Sequence, residues 1–217
     1  MSEILKKKVA EHALKYVPKD TIIGIGSGTT IRYFIEALKS IRFSILGAVS
    51  SSVKSSNFLK RINIKLYNLN EISKLEIYID SADEINHNLE MIKGGGGALT
   101  QEKIISSVSK KFICIVDESK FVKKLGSFPL PIEVIPISLN YVSRELIKLG
   151  GHPKHRKNFV TDNGNFIIDV FHLNFDFPKK LEKFINNISG VVTVGLFSFR
   201  KADVLLVCGR KYFKVVY

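Results

Sequence analysis

Short apolar segments and amphipathic segments alternate along the first two thirds of the chain. The opening stretch MSEILKKKVAEHALKY places Leu5, Val9 and Ala13 on one face of a predicted helix, and the apolar run TIIGIG after it predicts a buried strand. The runs ILGAV, LEIYID and FICIVD predict further strands, each separated from the next by a helical pattern. Strands that are apolar at nearly every position are typical of a parallel sheet covered on both faces, so we predict an α/β fold.

The pattern changes at FPLPIEVIP, where three prolines interrupt the alternation. Beyond it we predict a helix over SLNYVSRELIKLGG, a hairpin turning at Asn163-Gly164, a helix beginning at Pro178 and a strand over GVVTVGLF. Such a segment, about 75 residues long, has the size of a small domain. The final strands ADVLLVCG and YFKVV could join either part.

The formal net charge of +13 raises the question of a nucleic-acid partner. The basic residues are scattered and mostly lysine. Arginine, which binds phosphates and base edges better, is scarce, so we predict no nucleic-acid binding.

No apolar run approaches the roughly 18 residues of a membrane span, and the charged start lacks the apolar core of a signal peptide. Both cysteines, Cys114 and Cys208, lie in apolar runs, which fits a reducing compartment. We therefore expect a cytoplasmic protein with no membrane partner.

The segment GIGSGTT, residues 24–30, follows a predicted strand and opens a helix, where backbone N–H groups and the helix dipole form an anion site. It is not a dinucleotide fingerprint, because Thr29 stands where the third glycine belongs, and it is not a P-loop. The hydroxyls and amides of Ser27, Gly28, Thr29 and Thr30 suit a single phosphate group. Alternatively, Ser27 or Thr29 only caps the helix.

Polar groups also follow two other predicted strands. Asp80 and Asp83 of DSADEI end the strand LEIYID, and Lys120 of DESK follows FICIVD. Ligands of open parallel sheets bind outside the carboxyl ends of the strands, so we expect these groups to share one edge with the phosphate loop. As purely structural residues, the aspartates would form a turn-and-cap cluster and Lys120 would be a solvated surface lysine.

Four glycines follow Lys93 in the segment KGGGGALTQEK. Consecutive glycines let N–H groups point inward as a nest for oxygen atoms, with no side chain in the way. Glu102 then lies at the start of the next helix, where an acid is favourable even without a function. Together with the phosphate loop, and without a cysteine or histidine cluster, these groups indicate sugar-phosphate chemistry that needs no metal. A carboxylate base moves a proton between adjacent carbons, and donors stabilise the enediolate.

The motifs GIGSGTT, GAVSSS, DSADEI, KGGGGALTQEKI and VDESK together resemble the A-type ribose-5-phosphate isomerase family, and VTDNGN and GVVTVGLF extend the resemblance over nearly the whole chain. The resemblance implies a Rossmann-like, mostly parallel sheet domain with a second, smaller α+β domain. We place the first at residues 1–127 plus 204–217 and the second, with a part in oligomerisation, at residues 128–203. It also implies an enzyme of the pentose phosphate pathway that interconverts ribose 5-phosphate and ribulose 5-phosphate without a metal or other cofactor. That enzyme would be a homodimer or a homotetramer.

The resemblance further implies roles for individual residues. Glu102 would be the base that shuttles the proton between C2 and C1, while Asp80, Asp83 and Lys93 would act in ring opening and on the sugar oxygens. The loop from Ser27 to Thr30 would bind the phosphate together with Lys120 and Lys6. The full substrate-binding set is Lys6, Ser27, Gly28, Thr29, Thr30, Asp80, Ser81, Ala82, Asp83, Lys93, Gly94, Gly95, Gly96 and Lys120.

One departure from the family pattern concerns Ser81, which stands where glycine is usual. Because turn glycines often adopt backbone angles that other residues strain to reach, we expect Ser81→Gly to leave activity unchanged or to raise it slightly. Two alternatives to this isomerase remain at this point: a non-catalytic sugar-phosphate sensor on the same fold, and an isomerase of another phosphosugar.

The histidines His152 and His155 in GHPKHRK could suggest a metal pair, but no third ligand is near them in the sequence. We interpret this segment as a solvated loop.

Overall fold

The computed structural model describes residues 2–73 and 75–217. Its helices are α1 Ser2–Ala13, α2 Thr29–Leu38, α3 Val53–Arg61, α4 Leu99–Ser107, α5 Leu139–Lys148 and α6 Pro178–Asn186. Its strands are β1 Ile22–Ile25, β2 Gly47–Ser50, β3 Leu75–Asp80, β4 Glu84–Ile85, β5 Met91–Ile92, β6 Ser109–Asp117, β7 Leu130–Val134, β8 His152–His155, β9 Phe166–Phe171, β10 Val191–Val194, β11 Leu196–Phe197, β12 Val204–Cys208 and β13 Phe213–Val216.

The first of two units is built on a six-stranded sheet. It contains the residues up to Ala82, Gln101–Phe121 and Ala202–Tyr217. The strand order is β13-β12-β6-β3-β1-β2, and every neighbouring pair is parallel except β12 with β13. The predicted α/β fold with a mostly parallel sheet is therefore confirmed. The last two strands belong to this sheet, because β12 pairs along its whole length with β6.

The core of this unit lies between the sheet and its helices. The predicted stripe of α1 is buried, with Leu5, Val9 and Ala13 facing the interior, and α1 packs on α2, β6 and β12. Strands β1, β3 and β6 are neighbours and run in the same direction, so their carboxyl ends lie at one edge of the sheet. The loops that carry the candidate residues of this unit begin at that edge.

The second unit contains Asp83–Thr100 and Val122–Lys201. An antiparallel sheet in the order β10-β7-β9-β8 packs with α5 and α6 around a core that includes Ile132, Leu146 and Ile168, and the short strands β11, β5 and β4 form a separate small sheet. The sequence prediction assigned residues 83–100 and 122–127 to the first domain. Residues 83–100 group with the second unit instead because β4 and β5 pair with β11 and not with the six-stranded sheet. Residues 122–127 join them because the N–H groups of Val122 and Gly126 donate to Ile85 and Glu84 on β4. Residues 202 and 203, which the prediction assigned to the second domain, group with the first unit.

None of the described helices is both long enough and apolar enough to cross a membrane.

Candidate active site

The loop after β1 is folded around the carboxylate of Asp80, the last residue of β3. Asp80 is fully buried, and its Oδ1 accepts hydrogen bonds from the backbone N–H groups of Ser27 at 3.0 Å and Ser81 at 2.7 Å. A Cβ atom at Gly26 would lie 1.9 Å from the Asp80 carboxyl carbon. Gly26 is therefore the residue that lets the loop approach the carboxylate, and Asp80 fixes the backbone of the loop.

Tyr78 holds the other oxygen of this carboxylate. Tyr78 and Asp80 lie two residues apart on β3, so their side chains project from the same face, and the Tyr78 hydroxyl donates to Asp80 Oδ2. Burial raises the pKa of the Tyr78 hydroxyl well above its ordinary value, and the charges of Asp80 and Glu102 raise it further. The hydroxyl consequently stays protonated and remains a donor to Asp80 across the neutral and mildly alkaline range.

Ser27 connects this loop to Glu102. The Ser27 hydroxyl donates to Glu102 Oε1 at 2.6 Å, and Glu102 is only 3% exposed in the first turn of α4. The hydroxyl thus sets the orientation of the carboxylate. A hydrogen-bonded chain runs from Tyr78 through Asp80 and Ser27 to Glu102, with all four residues in the first unit.

The segment predicted to bind an anion lies at the start of α2. Gly28 is the N-cap residue with φ of 95°, and the helix has no side-chain cap. The Ser27 hydroxyl donates to Glu102 instead, and the Thr29 hydroxyl accepts a hydrogen bond from the Lys6 ammonium group at 3.1 Å. The alternative in which Ser27 or Thr29 only caps the helix is therefore wrong. Of the three consecutive lysines in α1, Lys6 is the one that reaches the loop. Thr29 is exposed, whereas the side chain of Thr30 is buried.

Ser81 adopts an ordinary backbone conformation, with a φ outside the positive region that favours glycine. Its hydroxyl donates to the Ser27 carbonyl oxygen at 3.2 Å. The expected reason for a benefit from Ser81→Gly, relief of backbone strain, is therefore wrong, because Ser81 adds a contact to the loop instead of straining it. Ala82, the next residue, is buried and ends this stretch of the first unit.

Lys120 lies in the short 3₁₀ turn Glu118–Lys120 that follows β6. The Asp117 side chain forms this turn by accepting from the Ser119 N–H group at 3.0 Å. Because β6 neighbours β3 in the sheet, Lys120 follows a strand end at the same edge as the Asp80 loop.

The remaining candidate residues lie in the second unit. Lys93 follows β5 and is 2% exposed; its ammonium nitrogen lies 5.6 Å from the centre of the Phe197 ring. Asp83 accepts from the Gly95 N–H group at 2.7 Å, and Gly95 and Gly96 are both exposed. The glycine run therefore presents backbone next to a carboxylate, and Gly94 and Gly97 have the positive φ angles, 109° and 78°, that such a turn requires.

A buried carboxylate, Glu133, explains the motif VTDNGN. Glu133 on β7 accepts from the Thr161 hydroxyl at 2.9 Å and from the side-chain amides of Asn163 at 3.0 Å and Asn165 at 2.8 Å. Its other oxygen accepts from the Thr100 hydroxyl at 2.5 Å. Thr100 lies two residues before Glu102 in α4, so this network fixes the start of the helix that carries the candidate base.

Sequence reasoning missed Gly26, Tyr78 and Arg156. Gly26 lies inside the motif GIGSGTT. Tyr78 lies two residues before Asp80 on a strand, and side chains two residues apart project from the same face, so the position of Asp80 could have indicated Tyr78. Arg156 lies in the segment interpreted as a solvated loop. That interpretation was wrong for His152–His155, which forms the strand β8 with both histidines exposed.

Within residues 2–73 and 75–217, no group of three or more histidine, cysteine, aspartate or glutamate side chains is arranged to hold a metal ion.

Comparison with known proteins identifies the family of the chain. The family model described as ribose 5-phosphate isomerase A (phosphoriboisomerase A) matches residues 47–211. A ribose-5-phosphate isomerase A from Buchnera aphidicola subsp. Acyrthosiphon pisum (strain Tuc7) is 58% identical over 212 residues, covering 98% of this chain and 95% of that protein.

Two solved structures extend this result to the fold. The crystal structure of ribose 5 phosphate isomerase A from Neisseria gonorrhoeae matches with a TM-score of 0.98 and 49% identity, over 100% of this chain and 97% of that one. A D-ribose-5-phosphate isomerase in complex with phospho-erythronic acid matches with a TM-score of 0.96 and 35% identity, over 100% of this chain and 99% of that one.

Proposed function

The chain belongs to the ribose 5-phosphate isomerase A family, and from that premise we propose that Glu102 is the base of its reaction. The activity is the interconversion of ribose 5-phosphate and ribulose 5-phosphate, an aldose–ketose isomerisation of the non-oxidative pentose phosphate pathway. The comparisons do not favour a non-catalytic sensor or an isomerase of another phosphosugar. The observation that carries the assignment of the base is the 2.6 Å hydrogen bond from the Ser27 hydroxyl to Glu102, which links the phosphate loop to a buried carboxylate.

The proposed reaction begins with the open-chain aldose. The Glu102 carboxylate takes the proton from C2, the C1–C2 double bond forms, and the electrons of the C1 carbonyl move onto O1. The resulting enediolate takes the proton back from Glu102 at C1, while the hydroxyl proton of O2 passes to O1 and C2 becomes the carbonyl carbon. One carboxylate can serve both carbons because they are adjacent on one face of a cis-enediolate.

Charge stabilisation in this scheme comes from Lys93, whose ammonium group offsets the negative charge on O1. Asp83 acts on the sugar hydroxyls and in ring opening. The part predicted for Asp80 in ring opening stays a prediction. Its contacts favour a different task, because the hydrogen bonds it accepts from the N–H groups of Ser27 and Ser81 hold the loop that orients Glu102.

The phosphate end of the substrate is proposed to bind at the start of α2. The N–H groups of a first helical turn have no partner within the helix, and the positive end of the helix dipole attracts an anion. Lys6 supports this assignment because its ammonium group already lies 3.1 Å from the Thr29 hydroxyl. Lys120 would add a second cation, and Gly28 allows the backbone to approach closely.

Replacing Glu102 by glutamine tests the assignment of the base. Glutamine keeps the size and the oxygen that accepts from Ser27, but it cannot take a proton, so we expect kcat to fall by about 10²- to 10⁴-fold. Calorimetry should show that ribose 5-phosphate still binds. Glu36→Gln, which alters an exposed carboxylate on α2, is the matched control. All assays are run with a chelator present, and we expect the unmodified protein to remain active in it.

An isotope-labelling experiment distinguishes proton transfer through a base from a reaction in which the hydrogen of C2 never exchanges with solvent. In deuterium oxide, the product ribulose 5-phosphate should carry deuterium at C1, because the proton on Glu102 can exchange with solvent between the two steps. A near-normal rate for Glu102→Gln would show that the base is another group, with Asp80 or Asp83 next in line.

We also propose that the chain forms a homodimer, with a homotetramer as the alternative. The second unit supports this because it exposes large apolar side chains, with Ile137 93% exposed and Tyr141 and Val192 about 40% exposed. Light scattering after size exclusion gives the molar mass, and Ile137→Glu should shift it toward the monomer if this unit forms the interface.

We further propose a cytoplasmic location. Cys114 and Cys208 are both buried free thiols, which fits a reducing compartment, and the similar Buchnera protein is bacterial. Cell fractionation with an antibody against the chain tests this location.

A further inference from the structure

The glycine run after Lys93 is held on one side by Arg156. The Arg156 Nη1 atom donates to the carbonyl oxygens of Gly94 at 3.2 Å and Gly95 at 3.1 Å. The rest of the guanidinium group is occupied by Asp169 on β9, which accepts from Nε at 2.8 Å and from Nη2. The side chains of Arg156 and Asp169 are only 19% and 18% exposed. A two-point ion pair thus fixes the guanidinium plane, and that plane fixes two consecutive peptide carbonyls.

A second contact of Arg156 acts on the end of the same loop. The Arg156 guanidinium carbon lies 5.2 Å from the centre of the Phe159 ring. The Phe159 ring occupies the space beside Gly97, where a Cβ atom would lie 2.2 Å from its Cζ atom. Arg156 therefore restrains the loop directly at Gly94 and Gly95 and indirectly at Gly97.

The direction of these carbonyls determines the direction of the amides. In a trans peptide the N–H group points opposite to the carbonyl oxygen, so the N–H groups of Gly95 and Gly96 point away from Arg156. The Gly95 N–H group donates to Asp83 on that opposite side. The Gly96 N–H group points to the same side of an exposed loop, where it can meet a substrate oxygen.

We propose that Arg156, held by Asp169, is a positioning residue for the isomerase reaction. It does not contact the sugar; it fixes the glycine loop so that the Gly96 amide and the Asp83 carboxylate face the oxygen atoms of the bound sugar phosphate. This proposal rests on the proposed function, because it assigns the loop a substrate that the isomerase reaction supplies.

Kinetics of Arg156→Ala, Arg156→Lys and Asp169→Asn test the catalytic part. A misplacement of about 1 Å far from the reacting atoms can lower activity by roughly 10²-fold, so we expect Arg156→Ala to lower kcat/KM by about 10- to 100-fold, with KM raised as well as kcat lowered. Arg156→Lys keeps the charge but not the planar fork, so it should recover only part of this loss. Asp169→Asn should show a smaller loss of the same kind. Lys157→Ala, which removes one positive charge from an exposed neighbouring residue, is the matched control and should behave as the unmodified protein.

Hydrogen exchange of the peptide covering residues 93–99 tests the structural part without any substrate. In Arg156→Ala, the amides of Gly95 and Gly97 should exchange faster. These amides donate to Asp83 and to the Gly94 carbonyl oxygen, and Arg156 no longer restrains the loop that contains them. Circular dichroism and a thermal melt establish that each variant is folded at the assay temperature, so that a loss of folded protein is not counted as a loss of activity.

Three outcomes would overturn the proposal. In the first, the kinetic constants of Arg156→Ala lie within twofold of those of Lys157→Ala. In the second, Arg156→Ala lowers kcat and leaves KM unchanged while its folded fraction is reduced, and in the third, hydrogen exchange in residues 93–99 is unchanged. Failure of the proposed function gives a different result, since the unmodified protein itself would then not convert ribose 5-phosphate. In that case faster exchange in Arg156→Ala would still support the restraint of the glycine loop by Arg156, and unchanged exchange would still refute it.

Discussion

Removing the hydroxyl group of Tyr78 tests the hydrogen-bonded chain that ends at Glu102. The substitution Tyr78→Phe keeps the ring, whose centre lies 4.9 Å from the centre of the Phe112 ring, and removes the hydroxyl group that donates to Asp80. Because Asp80 is fully buried, water does not readily replace the lost donor. The perturbation therefore falls on the carboxylate that holds the Ser27 loop.

The expected size of the effect follows from these contacts. A hydrogen bond to a charged group contributes about 1.5–3 kcal/mol, so we expect Tyr78→Phe to lower the free energy of unfolding by about this amount. For a protein of this length the melting temperature should fall by about 3 to 12 °C. Since Asp80 fixes Ser27 and Ser27 orients Glu102, kcat should fall by about 10- to 100-fold, with a smaller change in KM.

The pH dependence gives a separate check. The pKa of Tyr78 in the folded protein is raised well above the ordinary value by burial and by the charges of Asp80 and Glu102, so only the unfolded chain ionises this tyrosine above about pH 10. The contribution of Tyr78 is fully present below that pH and is lost progressively as the pH rises from there through the raised pKa of the folded state. The stability difference between the unmodified protein and Tyr78→Phe should therefore be constant from about pH 7 to 9 and should shrink at higher pH.

Denaturant unfolding at several pH values and steady-state kinetics with ribose 5-phosphate measure these quantities. Tyr67→Phe is the matched control, because Tyr67 is only half-buried and lies near Lys65 instead of a carboxylate; it should change neither quantity. The reasoning is refuted if Tyr78→Phe matches the control in stability. If stability falls but kcat per folded molecule does not, Tyr78 supports the fold and has no part in orienting Glu102.

The other predictions concern the same loops and the charge of the chain. Ser81→Gly should lower kcat about two- to tenfold in steady-state assays, because it removes the contact to the Ser27 carbonyl and frees the backbone. Thr29→Val should raise KM because the exposed hydroxyl lies at the proposed phosphate site, whereas Thr30→Val, at a buried position, should raise it less. Gly26→Ala should abolish activity and lower the melting temperature, since its Cβ atom would overlap the Asp80 carboxylate. Binding to duplex DNA should be weak and should vanish at physiological salt in a fluorescence titration; binding that survives salt would contradict the diffuse charge.

Much of the fold was predictable from local patterns. The apolar runs and the helical stripes gave the parallel sheet because burial on both faces leaves a strand few polar positions. The positions of Ser27, Asp80 and Lys120 at one edge followed in turn, since parallel strands bring their carboxyl ends together. The glycine run and the acid after it were also visible, because a turn that exposes backbone requires glycine wherever it appears.

The tertiary structure decided the contacts between distant parts of the chain. In the sequence, Tyr78 cannot be distinguished from other apolar strand residues; the structure shows that its hydroxyl donates to Asp80. Lys6 is likewise one of three consecutive lysines, and only the structure shows that it contacts Thr29, 23 residues away. Arg156 lies 61 residues from the Gly95 carbonyl that it holds, in a stretch whose composition indicates only a solvated surface. The sequence by itself determined which groups are candidates for the chemistry, because those groups lie in turns whose local residue patterns are recognisable. Which residues hold those turns in place was decided only by folding, because a hydrogen bond between residues far apart in the chain leaves no periodic or compositional trace in either segment.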